Sequence, residues 1–479
     1  MTDSPKKYGQ WLAGAWREPE QGHYQVTNPA TEEAVGYAPE GHAAEVWSAA
    51  EAARDAFDDW SRTEPRERAV ILERIGSLIS ERADELVPLV QAETGATRRV
   101  AKSTVLAAAD RFRSCARGAL EPDVVPFAPH PVTASPLAPG GLIGATAVRR
   151  PVGVVACITS YTFSIANLAG KVAPALAMGN TVIAKPAAQD PLSCLELGPI
   201  MKEAGLPDGV YNLVAGSGPI TGEALVAHYD TDMVSFTGST AEGKRIAEAA
   251  GGQMKRTLME FGGKGAAILL EDADDNTFKS AVMAVSSAFA VHSGQIRTAP
   301  TLMLVHRSLY EKAVAALTRY ARDATVGDHA DDSTMVGPVI SAAQRDRVEA
   351  YVEGARQEGA RVTVGGERPE LKPGFYVTPT VLADVTQDMT VAQEEVFGPV
   401  VVVIPFDEED EAVRIATGTP YGPYDYVFSG DTARAWHLAA RLRSGNVGIN
   451  TAQRHPATPF GNSSGLHAYS ELQSVVWPS

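Results

Sequence analysis

From residue 151 onward the chain alternates short apolar runs with stretches of helical spacing, and few architectures accept that rhythm. Runs at 152–158, 180–185, 210–214 and 232–236 are strand-sized, and each is followed by a helical stretch. Strands separated by helices return to the same end of the sheet, so they align in parallel with helices covering them. A second series begins near 265, with runs near 265–270, 300–305, 400–405 and 446–450. Two series imply two parallel-sheet units, which suits a chain of 479 residues because one core of that size would be too large. The change of series falls near Glu260–Gly263.

Upstream, residues 43–119 read as helical. Val46, Ala49, Ala50, Ala53, Phe57 and Trp60 recur at helical spacing, as do Leu72, Ile75, Leu78, Ile79, Leu86 and Val87. Residues 120–148 are proline-rich and end in Pro139-Gly140-Gly141, the mark of an arm rather than a core element. Tyr469–Trp477 reads as a last strand. The expected division is therefore 1–119 as an N-terminal helical part of one unit, 120–150 as an arm and 151–259 as the first α/β unit. Residues 260–450 form the second, and 451–479 return to the first unit and the arm.

The formal net charge is −16, from 42 basic and 58 acidic residues, with no basic block to reverse it locally. That balance repels nucleic acid and anionic membranes. No apolar run is long enough to span a bilayer and the first residues carry no apolar leader, so a cytoplasmic location is expected. Three scattered cysteines, Cys115, Cys157 and Cys194, support neither a disulfide framework nor a metal site.

Parallel sheets bind ligands outside the carboxyl ends of their strands. After the run 232–236 comes Gly238-Ser239-Thr240, a turn into a helix that either binds an anion or merely caps the helix. Lys185 ends the run 180–185, and Glu260 stands at a strand end beside Gly262-Gly263, which permit close approach. Glu394-Glu395-Val396-Phe397-Gly398-Pro399 offers acids and an aromatic ring in another loop.

In order and spacing these motifs resemble the aldehyde dehydrogenase superfamily along essentially the whole chain. Further matches are Pro151-Val152-Gly153-Val154-Val155, Lys171-Val172-Ala173-Pro174, Gly179-Asn180-Thr181-Val182, Gly294-Gln295 and Pro459-Phe460-Gly461. The resemblance implies an α/β fold with two parallel-sheet domains and a β oligomerisation arm, NAD or NADP as cofactor, and a homodimer or homotetramer. It implies that Lys185 contacts the adenosine ribose, Ser239 the pyrophosphate, Glu395 the nicotinamide ribose and Phe397 the nicotinamide end, with Thr159, Gly238 and Gly262 also at the cofactor. Glu260 is implied as general base. Ala188 stands where the family usually has Glu against the adenosine ribose, which leaves NAD and NADP both open.

The departures sit at the reacting end. The family's nucleophilic cysteine falls three residues after Gly in Gly-Gln-x-Cys; here the run is Gly294-Gln295-Ile296-Arg297, and a guanidinium stays protonated. Thr162 replaces the oxyanion-donating Asn, His292 replaces an Asn, and Leu302, Phe261, Thr417 and Pro423 also differ. Losing a nucleophile costs about a millionfold in serine proteases and losing an oxyanion donor about 100- to 1000-fold. The expectation drawn from this is an atypical enzyme acting on an aldehyde, ketone or imine by non-covalent hydride or proton transfer, with Glu260, Arg297 and Thr162 at the reacting centre. An inactive scaffold or ligand sensor is the alternative, and a conventional aldehyde dehydrogenase the least favoured reading.

Overall fold

A computed structural model describes residues 5–121, 124–136, 138–422, 424–453 and 465–478. Its frame is two seven-stranded sheets, each built on the parallel series expected from the sequence. The first runs in the order Arg256–Phe261, Met233–Gly238, Val154–Ile158, Thr181–Lys185, Tyr211–Leu213, then Gln10–Leu12 and Ala15–Arg17. Its first five strands are parallel, and the last two form an antiparallel hairpin on the edge. The second runs Arg361–Val364, Thr380–Ala383, Val400–Phe406, Leu302–His306, Ala266–Leu269, Asp425–Phe428 and Val447–Ile449. Only the pairing of Arg361–Val364 with Thr380–Ala383 is antiparallel there. The sheets are joined by residues 262–265, which pass from the last strand of one to the first of the other.

Four helices, Ala43–Arg62, Pro65–Glu81, Ala83–Thr94 and Arg98–Gly118, occupy the region read as helical. Their apolar stripes bury Trp60, Leu72, Ile75, Leu78, Ile79 and Phe112 against helix Ser164–Ala177 and the first sheet. His42 and Glu45 form a capping box at the start of the first helix, and Gly95 at φ +72° ends the third. The segment 1–119, expected as helical, differs at its start: Gln10–Leu12, Ala15–Arg17, His23–Thr27 and Ala34–Pro39 are strands. They are too short for alternation to declare itself in the sequence.

The proline-rich arm is a three-stranded antiparallel sheet of Val124–Val132, Gly141–Pro151 and Ser470–Pro478. Pro126, Pro129 and Pro131 are tolerated because their strand lies on the sheet edge. The tail strand pairs in register from Ser470↔Pro151 to Pro478↔Ile143. Pro423 and the Pro459-Phe460-Gly461 motif lie outside the described residues.

Candidate active site

In the first sheet, chain order reverses between strands Val154–Ile158 and Met233–Gly238, which lie side by side although the intervening chain travels to the opposite edge. At such a switch point the flanking connections leave in opposite directions and open a crevice beyond the carboxyl ends. Thr159 and Gly238 sit at those two ends. Thr159 is buried, its N–H donates to the Lys185 carbonyl at 3.1 Å, and its hydroxyl has no partner among the described residues. Gly238 packs on Phe236, whose ring would lie 2.4 Å from an added methyl group. Ser239 caps helix Thr240–Gly251 by accepting the Glu242 N–H at 3.2 Å, so the capping role holds at this residue whatever the turn binds.

Lys185 ends the adjacent strand, and its amine donates to the Pro186 carbonyl at 3.2 Å. Burial pushes it down to about 8, against the upward pull of Glu40 and Glu242. Its side chain runs beside Gly222.

The reacting end centres on Glu260, near the end of strand Arg256–Phe261. One carboxylate oxygen accepts from Thr237 Oγ1 at 2.7 Å and from Lys171 Nζ at 3.1 Å, with the Arg297 guanidinium 3.9 Å away. Arg297 also reaches the Glu260 carbonyl at 3.5 Å. Burial pushes this carboxyl up, but the charges of Lys171 and Arg297 and the bonds from Thr237 and Lys171 outweigh it and hold it at about 2. Lys171 is itself held below the ordinary lysine range by burial, although Glu260 pulls the other way. Its amine donates to Ser235 Oγ at 3.2 Å, and Ser235 shares a 2.8 Å bond with the Tyr469 hydroxyl. A buried chain of polar groups thus runs from the C-terminal segment to Glu260.

The sequence assigns no role to Lys171, Thr237 or Lys264, although the run beginning at Lys171 is among its family matches. A signal existed for Lys171: it is the one charged residue in the buried helix Ser164–Ala177, and a buried charge needs a partner.

The second sheet contributes from its amino ends, so loops leaving strands supply only half of the site. Arg297 lies in the loop entering Leu302–His306, and Glu395 and Phe397 in the loop entering Val400–Phe406. Glu395 folds over the crossing segment, where Oε1 accepts from Gly263 N–H at 3.0 Å. A methyl group on Gly262 would lie 2.2 Å from both carboxylate oxygens, so only glycine permits this approach. Burial pushes Glu395 up to about 7 despite that bond and the nearby charges of Arg297, Lys264 and Arg347. Phe397, at φ +61°, sets its ring edge-on to Tyr161, with centroids 5.8 Å apart.

Tyr161 belongs to the loop of Thr162, which is 1% exposed and has a hydroxyl without a partner among the described residues. The Thr162 carbonyl accepts from Asn167 Nδ2 at 3.3 Å. Burial pushes neighbouring His292 down to about 4, so its ring is neutral where it packs on Phe163. Of the three cysteines, Cys157 borders the buried polar chain, opposite Ser235 and within reach of the Lys171 charge. Burial raises the Cys115 and Cys157 thiols to about 12 and Cys194 well above its ordinary value, so none is a ready thiolate.

Glu260, Gly262, Arg297, Glu395, Phe397 and the Thr162 loop therefore meet where the two sheets face each other. Thr159, Lys185, Gly238 and Ser239 line the neighbouring strand ends. The family model for the aldehyde dehydrogenase family matches residues 16–473. The chain belongs to the aldehyde dehydrogenase family.

Relatives within the family are similar over nearly the full chain. A betaine aldehyde dehydrogenase of Bacillus subtilis is 35% identical over 97% of this chain and 96% of its own length. An aminoaldehyde dehydrogenase of Zea mays is 37% identical over 93% of this chain and 88% of its own. Among solved structures, a betaine aldehyde dehydrogenase mutant from Staphylococcus aureus, bound to NAD+ and carrying a BME-modified cysteine, superposes with a TM-score of 0.93. It is 31% identical, with 98% of this chain and 96% of that one covered. HpcC from Thermus thermophilus gives a TM-score of 0.93 at 37% identity, covering 99% and 93%.

The α/β aldehyde dehydrogenase fold is thereby established, and the expected cofactor, NAD or NADP, agrees with relatives crystallised with NAD+. The expected function is corrected. Non-covalent hydride or proton transfer, and the scaffold or sensor alternative, are overturned by relatives of 35–37% identity named as aldehyde dehydrogenases. The substitutions at the reacting end outweighed the rest of the chain in that expectation, although similarity to those relatives extends over nearly all of it.

Proposed function

We propose that the chain is an NAD(P)-dependent aldehyde dehydrogenase acting on small aldehydes of the betaine-aldehyde or aminoaldehyde kind. The observation that carries this reading is Glu260, kept ionised by Lys171, Thr237 and Arg297 at the junction with the Glu395 loop. Aldehyde oxidation needs an oxygen nucleophile whose proton a base removes, and Glu260, held at about 2, serves as that base once Lys171 and Arg297 loosen their hold on it. The residues present suit a dinucleotide: Lys185 and the Thr159 hydroxyl, without a partner among the described residues, lie at the strand ends, and Gly262 lets the Glu395 carboxylate approach. A bound nicotinamide supplies the hydride acceptor.

The proposal has a second part: Arg297 stands at the position of the family's thiol. It is supported by the Gly294-Gln295-Ile296-Arg297 run and by Arg297 leaning on Glu260. Assembly through the arm is also part of the reading, supported by the exposed Val124, Val125, Phe127, Val475, Val476 and Trp477 on its strands.

The test is reduction of NAD+ and NADP+ with betaine aldehyde, aminoaldehydes and simple aldehydes, in the parent and in Arg297→Cys. Turnover by the parent that falls in Glu260→Gln is expected, and a gain of at least about 100-fold in Arg297→Cys, well inside the worth of a nucleophile. No turnover by either protein refutes the aldehyde reading. Equal turnover by both refutes the assignment of Arg297.

A further inference from the structure

The crossing segment between the sheets carries a buried charge that the proposed reaction does not use. Lys264 is 2% exposed, and its amine has no hydrogen-bond partner among the described residues. A buried ammonium without partners is costly, so such a group is either neutral or poised to gain one. The group acting on it electrostatically is Glu395, whose carboxylate lies over Gly262 and accepts from Gly263, the residue beside Lys264.

We propose that Lys264 is a positioning residue for the cofactor, its buried amine setting the charge state in which Glu395 meets the nicotinamide ribose. The inference rests on the reading that Glu395 holds that ribose, and it assigns Lys264 a part that the family resemblance did not. A carboxylate accepts hydrogen bonds from ribose hydroxyls at both oxygens, whereas the protonated acid has lost part of that capacity.

Other charged and titratable groups face Glu395, and each is otherwise engaged. Arg297 leans on Glu260. Arg347 is exposed and donates to the Glu395 carbonyl and the Tyr351 hydroxyl. Glu394 is exposed and accepts from Tyr351. Burial first, and then the charge of Glu395, raise the Tyr161 and Tyr421 hydroxyls, so both stay neutral.

Burial brings Lys264 down and Glu395 up to about 7 each, and the charge of each favours the ionised form of the other. Ribose hydroxyls select the ionised carboxylate, the form that a charged Lys264 favours. Below this range Glu395 must release a proton for the cofactor to bind, so affinity falls with falling pH. Removing the amine removes a cation that favours the carboxylate, and the acid limb then moves to higher pH.

The experiment is NADH titration by nicotinamide fluorescence from about pH 5 to about pH 9, bracketing both groups. In Lys264→Met the midpoint of the acid limb is expected to rise by about one pH unit, weakening binding at neutral pH several-fold. Lys264→Arg, which cannot lose its proton, should keep the limb at or below the parent midpoint. It also keeps the test decisive should the Met variant fail to fold. An unmoved midpoint in Lys264→Met, or a raised one in Lys264→Arg, overturns the proposal. Glu395→Gln separates this from the reading beneath it. If that variant binds NADH with the parent's affinity and acid limb, Glu395 is not at the ribose and the cofactor assignment fails first.

Discussion

Replacing Glu260 by Gln removes the negative partner of a lysine that is 1% exposed, leaving Lys171 with Ser235 and facing Arg297. The displacement of the Glu260 carboxyl from 4.5 to about 2 corresponds to roughly 3 kcal/mol at about 1.4 kcal/mol per decade. Because this carboxyl is depressed, its contribution is complete above its unfolded value and is lost as pH falls through about 2. Lys171 works in the opposite sense. Its burial disfavours the ammonium, so the fold pays for that charge at low pH and is relieved as the amine deprotonates. Breaking a buried pair typically costs about 3–5 kcal/mol, most of it from the charge left behind.

The Glu260→Gln variant should therefore lose about 3 kcal/mol near pH 6 and visibly less near pH 9. Lys171→Met with Glu260→Gln should recover much of the loss, because no charge is stranded. Thermal denaturation of the three proteins at the two pH values reads this directly. At roughly 2–4 °C per kcal/mol, the single variant falls about 6–12 °C below the parent near pH 6. A melting temperature equal to the parent's, or a loss that is the same at both pH values, would refute an ionised Glu260–Lys171 pair.

Two other changes probe the crevice. Gly262→Ala should displace the mobile end of Glu395 and weaken NADH binding about tenfold, the equivalent of roughly 1.4 kcal/mol, with little change in melting temperature; unchanged affinity removes Glu395 from the cofactor's reach. Thr162→Val replaces a buried hydroxyl that lacks a partner among the described residues, so stability should hold or rise, while turnover falls by up to about 100-fold if that hydroxyl supports the oxyanion. Unchanged turnover takes Thr162 out of the reacting centre.

The alternation of apolar runs and helices, the strand-end positions of Lys185, Gly238, Ser239 and Glu260, and the arm were legible in the sequence. Each depends on periodicity or turn chemistry within a dozen residues, where local spacing decides which face is buried. The replacement of the expected thiol by Arg297 could be noticed there too. Its consequence could not be weighed there, because that depends on where Arg297 sits relative to Glu260, which only the fold sets.

Tertiary structure decided the rest. Lys171 meets Glu260 across 89 residues of sequence, and Glu395 meets Gly263 across 132. The site joins carboxyl ends of one sheet to amino ends of the other, a match that no rule about a single sheet contains. The charge states follow from the same long-range packing. Glu260 is held low by cations and Glu395 driven up by burial, and only the folded chain sets these two glutamates in such different surroundings.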